Sequence, residues 1–324
     1  MEKRSAQQPL FWDGKRYHSL NYHLRHQFGE KVFKVPLDAG LTCPNRDGTV
    51  GTGGCVFCSA RGAGDFAGDR SLDLITQFRT VRDRMHKKWP KAKYLAYFQA
   101  FTNTYAPVDT LRGMYELVLQ EEGVVGLSIA TRPDCLPTEV LDLLSELNER
   151  TYLWVELGLQ TIHERTRREI NIGSTYAGFL EAVERLAERH LRTCIHIILG
   201  LPGETEAEML ATGRAVANLP IQGVKIHLLH LMRGTHLARQ YENRPFPFLD
   251  QDTYVKLVVD ILEILPPAVV IHRLTGDSPR ELILGPMWSL KKWEVLNAID
   301  AELERRNTWQ GRWWVKMGEH YKNS

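Results

Sequence analysis

Residues 152–160 read Y-L-W-V-E-L-G-L-Q, an apolar run that stops at Gln160. A run of this length, rich in β-branched and aromatic residues, predicts a buried strand. Its flanks predict helices. Thr138 to Arg150 carries Leu141, Leu144 and Leu147 at helical spacing, and 163–170 and 175–190 follow on the other side. Five more runs have the same character: Lys31 to Asp38, Tyr94 to Phe98, Val124 to Ala130, Cys194 to Leu199 and Gly223 to Leu229. Helical patterns at 71–88, 109–122 (with Asp109 as the N-cap) and from after Thr205 through Ala217 separate them.

Strand then helix, six times, means parallel strands joined by right-handed crossovers. The expected class is α/β: a partial, open (β/α)6 TIM-like barrel. In such a barrel the polar loops after the strands build the active site. The expected division is an N-terminal extension at 1–30, the barrel at 31–245 and a C-terminal extension at 246–324. That last part holds a helix at 251–264, a short further strand at Val269 to His272 and a helix near 290–306.

The chain has 324 residues, 43% hydrophobic and 25% charged, with net charge +2. That composition is globular. The charge balance is too even to announce a general nucleic-acid binder, so neither DNA nor a membrane is an expected partner. The N-terminus lacks the apolar core of a signal peptide. Five cysteines, an odd and small number, argue against a disulfide framework. A reducing, cytoplasmic setting is expected, where clustered cysteines bind metal.

Three of those cysteines lie on the loop after the first strand, C-P-N-R-D-G-T-V-G-T-G-G-C-V-F-C from Cys43 to Cys58. Eleven residues separate Cys43 from Cys55 and two separate Cys55 from Cys58. A structural zinc site takes four ligands, usually as two pairs. One cysteine plus a pair on a Gly-rich loop instead suits an iron–sulfur cluster with one iron left open for a small molecule.

These strings together resemble a known superfamily. L-D-A-G-L-T-C-P-N-R-D-G-T (37–49), T-R-P-D-C-L (131–136), E-L-G-L-Q-T (156–161), I-L-G-L-P-G-E (198–204) and K-I-H-L-L-H (225–230) span most of residues 30–240. They are similar to the radical S-adenosylmethionine (SAM) enzymes, in the branch that resembles the catalytic subunit of Elongator. There the gap before the C-x-aromatic-C half is longer than the usual three residues. The resemblance implies a [4Fe–4S] cluster held by Cys43, Cys55 and Cys58, with SAM chelating the fourth iron. It also implies an electron donor such as flavodoxin or ferredoxin. A bacterial subfamily with these strings implies a tRNA substrate, the wobble uridine. Its carboxymethylaminomethyl side chain would be converted to aminomethyl.

Further roles follow by position. Phe57 matches the aromatic beside the SAM adenine. Gln99, Thr102 and Asn103 stand where the superfamily's second-strand Gly-Gly-Glu meets the SAM amino group; that motif is absent here, so only backbone contact is implied. Glu156 and Gln160 match polar residues near the SAM ribose and sulfonium. Glu156 in an apolar strand is costly unless paired. Where many relatives carry an arginine for the SAM carboxylate, this chain has Ile172. Arg168 or Arg132 could substitute, although Arg132 could instead brace its own loop by pairing with Asp134.

Cys135 is either a hydrogen donor or a buried thiol, and Cys194 is core. Lys225 and His227 alternate onto one face of the sixth strand, which suits a lined active site. Arg273 and Arg280 could meet a phosphate or carboxylate. Basic and aromatic residues at 16–28, and again from Trp288 through Arg305, Arg306, Trp309, Arg312, Trp313, Trp314, Lys316 and Lys322, suit either RNA contact or packing. Two readings compete with a tRNA-modifying enzyme: the same chemistry on a small-molecule or porphyrin substrate, and a non-catalytic metal-cluster module that binds RNA.

Overall fold

The computed structural model describes residues 10–62 and 64–314. Seven strands pair in one all-parallel sheet: β1 (Val32–Leu37), β2 (Lys93–Phe98), β3 (Val124–Thr131), β4 (Tyr152–Gln160), β5 (Arg192–Leu199), β6 (Gly223–Leu228) and β8 (Val270–Arg273), side by side in that order. The expected six strands therefore gain a seventh, because the short run near residue 270 extends the sheet beside β6. A two-residue β7 (Leu231–Met232) forms a small antiparallel ribbon with β9 (Ile283–Gly285).

The sheet curls into a half-barrel. Its edge strands, β1 and β8, come near enough for Lys34 Nζ to lie 3.3 Å from His272 Nδ1. The crossover helices are α2 (Leu74–His86), α3 (Val108–Leu119), α4 (Thr138–Arg150), α5 (Glu164–Glu169), α6 (Tyr176–Glu188), α7 (Glu206–Ala217), α8 (His236–Asn243) and α9 (Gln251–Ile264). Most lay an apolar stripe on the sheet, whereas α5 buries Thr166 and Arg167 and α8 packs Leu237 and Ala238 against the cysteine loop. α4 buries Val140, Leu141, Leu143, Leu144 and Leu147. Burial of a leucine this complete stabilises by about 1.5–3 kcal/mol.

Helix starts are set locally. Thr205 and Glu208 form a reciprocal capping box ahead of α7, worth about 1 kcal/mol. Asp109 is not the cap of α3: the N-cap is Pro107, and Asp109 sits in the first turn, where its charge complements the helix dipole.

The gap between β1 and β8 is covered by the N-terminal segment, which ends in α1 (Leu20–Phe28). Ser19 bridges to Ile271, whose N–H donates to the His18 carbonyl at 2.7 Å. His18 N–H in turn donates to Gln310 Oε1 at 2.8 Å, beyond α10 (Lys292–Arg305), which packs outside on α9. Among the described residues no helix is long and apolar enough to cross a membrane.

Candidate active site

The loop after β1 docks on the exit of β4. Val56 N–H donates to the Ile170 carbonyl at 3.1 Å, and Asn171 Nδ2 donates to the Gly54 carbonyl at 2.8 Å. Asn45 reaches back to the Asn171 carbonyl at 2.6 Å and lies 3.8 Å from Cys55 Sγ. The fit requires glycine at position 51, where a Cβ would stand 2.4 Å from Asn45 Oδ1. Asn171-Ile172-Gly173, the stretch lacking the expected arginine, thus serves as the seat of the cysteine loop.

Cys43, Cys55 and Cys58 are all free and all line one cavity of about 540 Å³, a volume typical of ligand sites. Cys58 donates a hydrogen bond to Cys55. That bond, with Arg132, Asn45 and Arg46 nearby, brings the Cys55 pKa down to about 7 against the effect of burial. The donor role, burial and the charge of Cys55 push Cys58 up. A cation-flanked thiol that ionises near neutrality is a ready metal ligand. Three free thiols on one cavity wall are the donor set that a cubane takes, one thiolate at each of three irons. The residues present fit a cluster.

The inner end of the cavity is polar. Glu156, with none of its side chain exposed, contacts Lys34 and Lys225, accepts from Ser128 Oγ at 2.6 Å and meets His196 Nε2 at 2.8 Å. Lys225 also donates to Tyr97 Oη at 2.9 Å. Burial alone would raise the Glu156 pKa, but Lys225, Lys34 and His196 hold it well below the usual carboxylate range. Burial brings Lys225 down to about 8, opposed by Glu156 and assisted by Lys34. Burial first, then Lys225, lowers His196 to about 4. His227 and His272 lie well below the ordinary histidine value through burial and neighbouring charge.

Sequence reasoning found Glu156, Lys225 and His227 but missed Lys34, Tyr97, Ser128, His196 and His272. Lys34 carried a usable signal: it is a cation in the middle of the otherwise apolar V-F-K-V-P-L of β1.

The other expected residues divide. Phe57, Gln99, Thr102, Gln160 and Arg132 line the cavity. Gln160 has φ +68°, next to a register break in the pairing of β4 with β5. A non-glycine residue there stores about 1–3 kcal/mol of strain, and such irregularities re-aim side chains. Asn103 is not a wall residue: it is fully buried, and its Nδ2 braces the Phe98 and Ala130 carbonyls at 3.1 and 3.0 Å.

Arg168 is not a substitute for the missing arginine. It is exposed, lies outside the cavity wall and donates to the Glu164 carbonyl of its own helix. Its neighbour Arg167 is the buried one, tied to the Leu159, Thr161 and Ser174 carbonyls. Arg132 braces its own loop by pairing with Asp134 at 2.6 Å, and it stands at the cavity beside Cys43 and Cys55. Cys135 does not reach this cavity. It is buried, lines a separate pocket of about 960 Å³ on the far side of its loop, and is pushed up to about 12 by burial first and by Asp134. Cys194 is core, as its place on β5 suggests.

Arg273 lines the cavity, whereas Arg280 is exposed away from it. Near the N-terminus His23 turns inward, its Nε2 meeting Tyr152 Oη at 2.7 Å, while Arg25 and His26 are exposed. In the C-terminal part, Arg305 and Arg306 pair with Glu302, and Arg312 stacks over the Trp309 and Trp313 rings at 5.3 and 4.8 Å. Lys316 and Lys322 lie outside the described residues.

Comparison with known proteins agrees with this geometry. Residues 46–216 match the radical SAM superfamily, and residues 221–305 match the radical SAM C-terminal domain. The chain is 60% identical over 305 residues to uncharacterized protein YtqA of Bacillus subtilis, covering 94% of this chain and 95% of that one. It is 36% identical to protein YhcC of Escherichia coli, over 91% and 96% of the two chains. Elongator complex protein 3 of Homo sapiens is 25% identical over 59% of this chain and 36% of its own length. In structure, the Elp3 of Methanocaldococcus infernus superposes with TM-score 0.66 at 17% identity, over 86% of this chain and 64% of that one. Proteins of this superfamily are enzymes that use a [4Fe–4S] cluster and SAM and require a reductant. The chain belongs to the radical SAM superfamily, in the branch that resembles the catalytic subunit of Elongator.

Proposed function

We propose that this enzyme modifies the wobble-uridine side chain of tRNA, converting carboxymethylaminomethyl-uridine to aminomethyl-uridine. The observation that carries the reading is the single cavity with three free cysteines at one end and a buried, charged floor at the other. Cys43, Cys55 and Cys58 would hold the cluster. Bound there, cluster and SAM would supply a deoxyadenosyl radical by one-electron reductive cleavage.

The protein's own residues do the rest. Arg132 keeps a positive charge beside the cysteines. Phe57, Gln99, Thr102 and Gln160 would bound the SAM, and Lys225 and His227 would face the substrate from the floor. A wobble base lies in a single-stranded loop, so it can enter such a cavity without breaking a base pair. The similarity to Elongator complex protein 3 supports the RNA substrate. Flavodoxin or ferredoxin would be the electron donor, and the setting would be cytoplasmic. The proposed organisation is the barrel at 31–245 between an N-terminal extension, 1–30, and a C-terminal one, 246–324.

Two measurements test this. The reconstituted, reduced protein should release deoxyadenosine from SAM. Nucleoside mass spectrometry of tRNA from a deletion strain should show carboxymethylaminomethyl-uridine accumulating. An unchanged wobble profile would refute the substrate while leaving the chemistry standing.

A further inference from the structure

Lys34, Lys225 and Arg273 stand on the inner wall of the cavity with two acids, Glu156 and Asp277. Glu156 is fully committed to the two lysines and His196. Asp277 is shared outward, since both its oxygens accept from Lys292 at 2.8 Å.

Arg273, at the end of β8, is the under-used cation. Its one ion pair among the described residues is Nη2 to Asp277 Oδ2 at 3.2 Å. Arg273 is part of the cavity wall. Two imidazoles share that region, and the Nε2 atoms of His227 and His230 are buried without a partner among the described residues. His230 owes its place to Gly276, where a Cβ would stand 2.8 Å from its Cε1. Both rings are neutral at pH 7. Burial, with neighbouring cations including Arg273, holds His230 near 4 and His227 well below the ordinary value. Each therefore has one N–H to give, with Nε2 free to carry it.

We propose that Arg273, His227 and His230 form a subsite for the carboxylate of the substrate. A carboxylate accepts through both oxygens in one plane, which suits a guanidinium fork plus imidazole donors. The inference rests on the functional reading above and names how that substrate is told from its product: the carboxymethyl group carries the carboxylate, and the aminomethyl product lacks it. A buried donor set left unpaired is what rejects the product.

The test uses cluster-loaded protein and two kinds of probe. In the first, phenylglyoxal modification of Arg273 is followed by peptide mass spectrometry with N-methylglycine, acetate or methylamine added. Both carboxylates should slow modification severalfold and the amine should not. In the second, binding of anticodon stem–loops bearing carboxymethylaminomethyl- or aminomethyl-uridine is measured for wild type and Arg273→Gln. Wild type should prefer the carboxylate-bearing form by roughly tenfold. R273Q should lose that preference and keep its SAM affinity.

If carboxylates give no protection and R273Q keeps the preference, the subsite is wrong and the functional reading survives. If R273Q loses SAM affinity instead, the carboxylate it holds belongs to SAM, and the proposal falls. If carboxylates protect Arg273 but wild type does not distinguish the stem–loops, the subsite stands and the tRNA reading falls.

Discussion

Arg132 Nη1 donates to the Ile172 carbonyl at 2.7 Å, so the guanidinium at the exit of β3 is anchored on the backbone of the residue where an arginine is expected. The contact holds a cation beside Cys43 and Cys55 while its remaining nitrogens grip Asp134. Replacing Arg132 with Gln should raise the Cys55 pKa from about 7 by about one unit or more, as loss of a nearby opposite charge does. The pH dependence of Cys55 alkylation in cluster-free protein measures it. An unmoved profile would mean that Cys58 and Asn45 alone set the thiol.

The cysteines themselves separate into two groups. Cys43→Ala, Cys55→Ala and Cys58→Ala should each abolish or cripple iron incorporation, because a cluster with two protein thiolates is poorly held. Cys135→Ser and Cys194→Ala should retain it, since those thiols lie outside the cavity. Iron and sulfide content with visible absorbance reads the difference. Full loading of C43A would remove that residue from the ligand set.

Glu156 holds the floor together. Glu156→Ala leaves Lys34 and Lys225 buried without a counter-charge, and removing one partner of a buried ion pair costs about 3–5 kcal/mol. Glu156→Gln, which keeps one acceptor oxygen where the carboxylate gives Oε1 to Ser128 and Oε2 to His196, should cost less. Chemical denaturation measures both. A loss below about 1 kcal/mol for E156A would contradict the assigned role.

Acid should destabilise the fold through its buried histidines. His23, His196 and His230 are each lowered to about 4, burial being the first cause. Between about 6.5 and 4 the unfolded chain binds protons that the folded chain refuses, so stability falls as the pH falls through that window. Each histidine contributes a slope of up to ~1.4 kcal/mol per pH unit. His23→Gln, outside the cavity, should flatten the profile by about one histidine's share. Urea titrations at several pH values check this, and an unchanged slope would show that His23 does not stay neutral.

The parts of this molecule that repeat a pattern were legible in the sequence. Strands ending in polar loops read clearly because burial on both faces leaves an apolar run. Cys43, Cys55 and Cys58 read clearly because their chemistry is local to one loop. The floor was less visible. Lys34, His196 and His272 come from β1, β5 and β8 and meet only because the sheet curls, which no local spacing encodes. The choice between Arg132 and Arg168 needed the same long-range information. So did Cys135, which lines the second pocket although Arg132 and Pro133, three and two residues before it, line the cavity.

One closure links distant parts of the chain. The hydrogen bond from His18 to Gln310 spans 292 residues, and Leu20, just beyond it, is part of the cavity wall. The seam between the edge strands is therefore sewn with thread from both extremities of the described chain. A chain that stopped short of Gln310 would lose the bond that holds the N-terminal segment, and Leu20 with it, across the seam. The two ends of the described chain thus act as one clasp on the back of the reaction chamber.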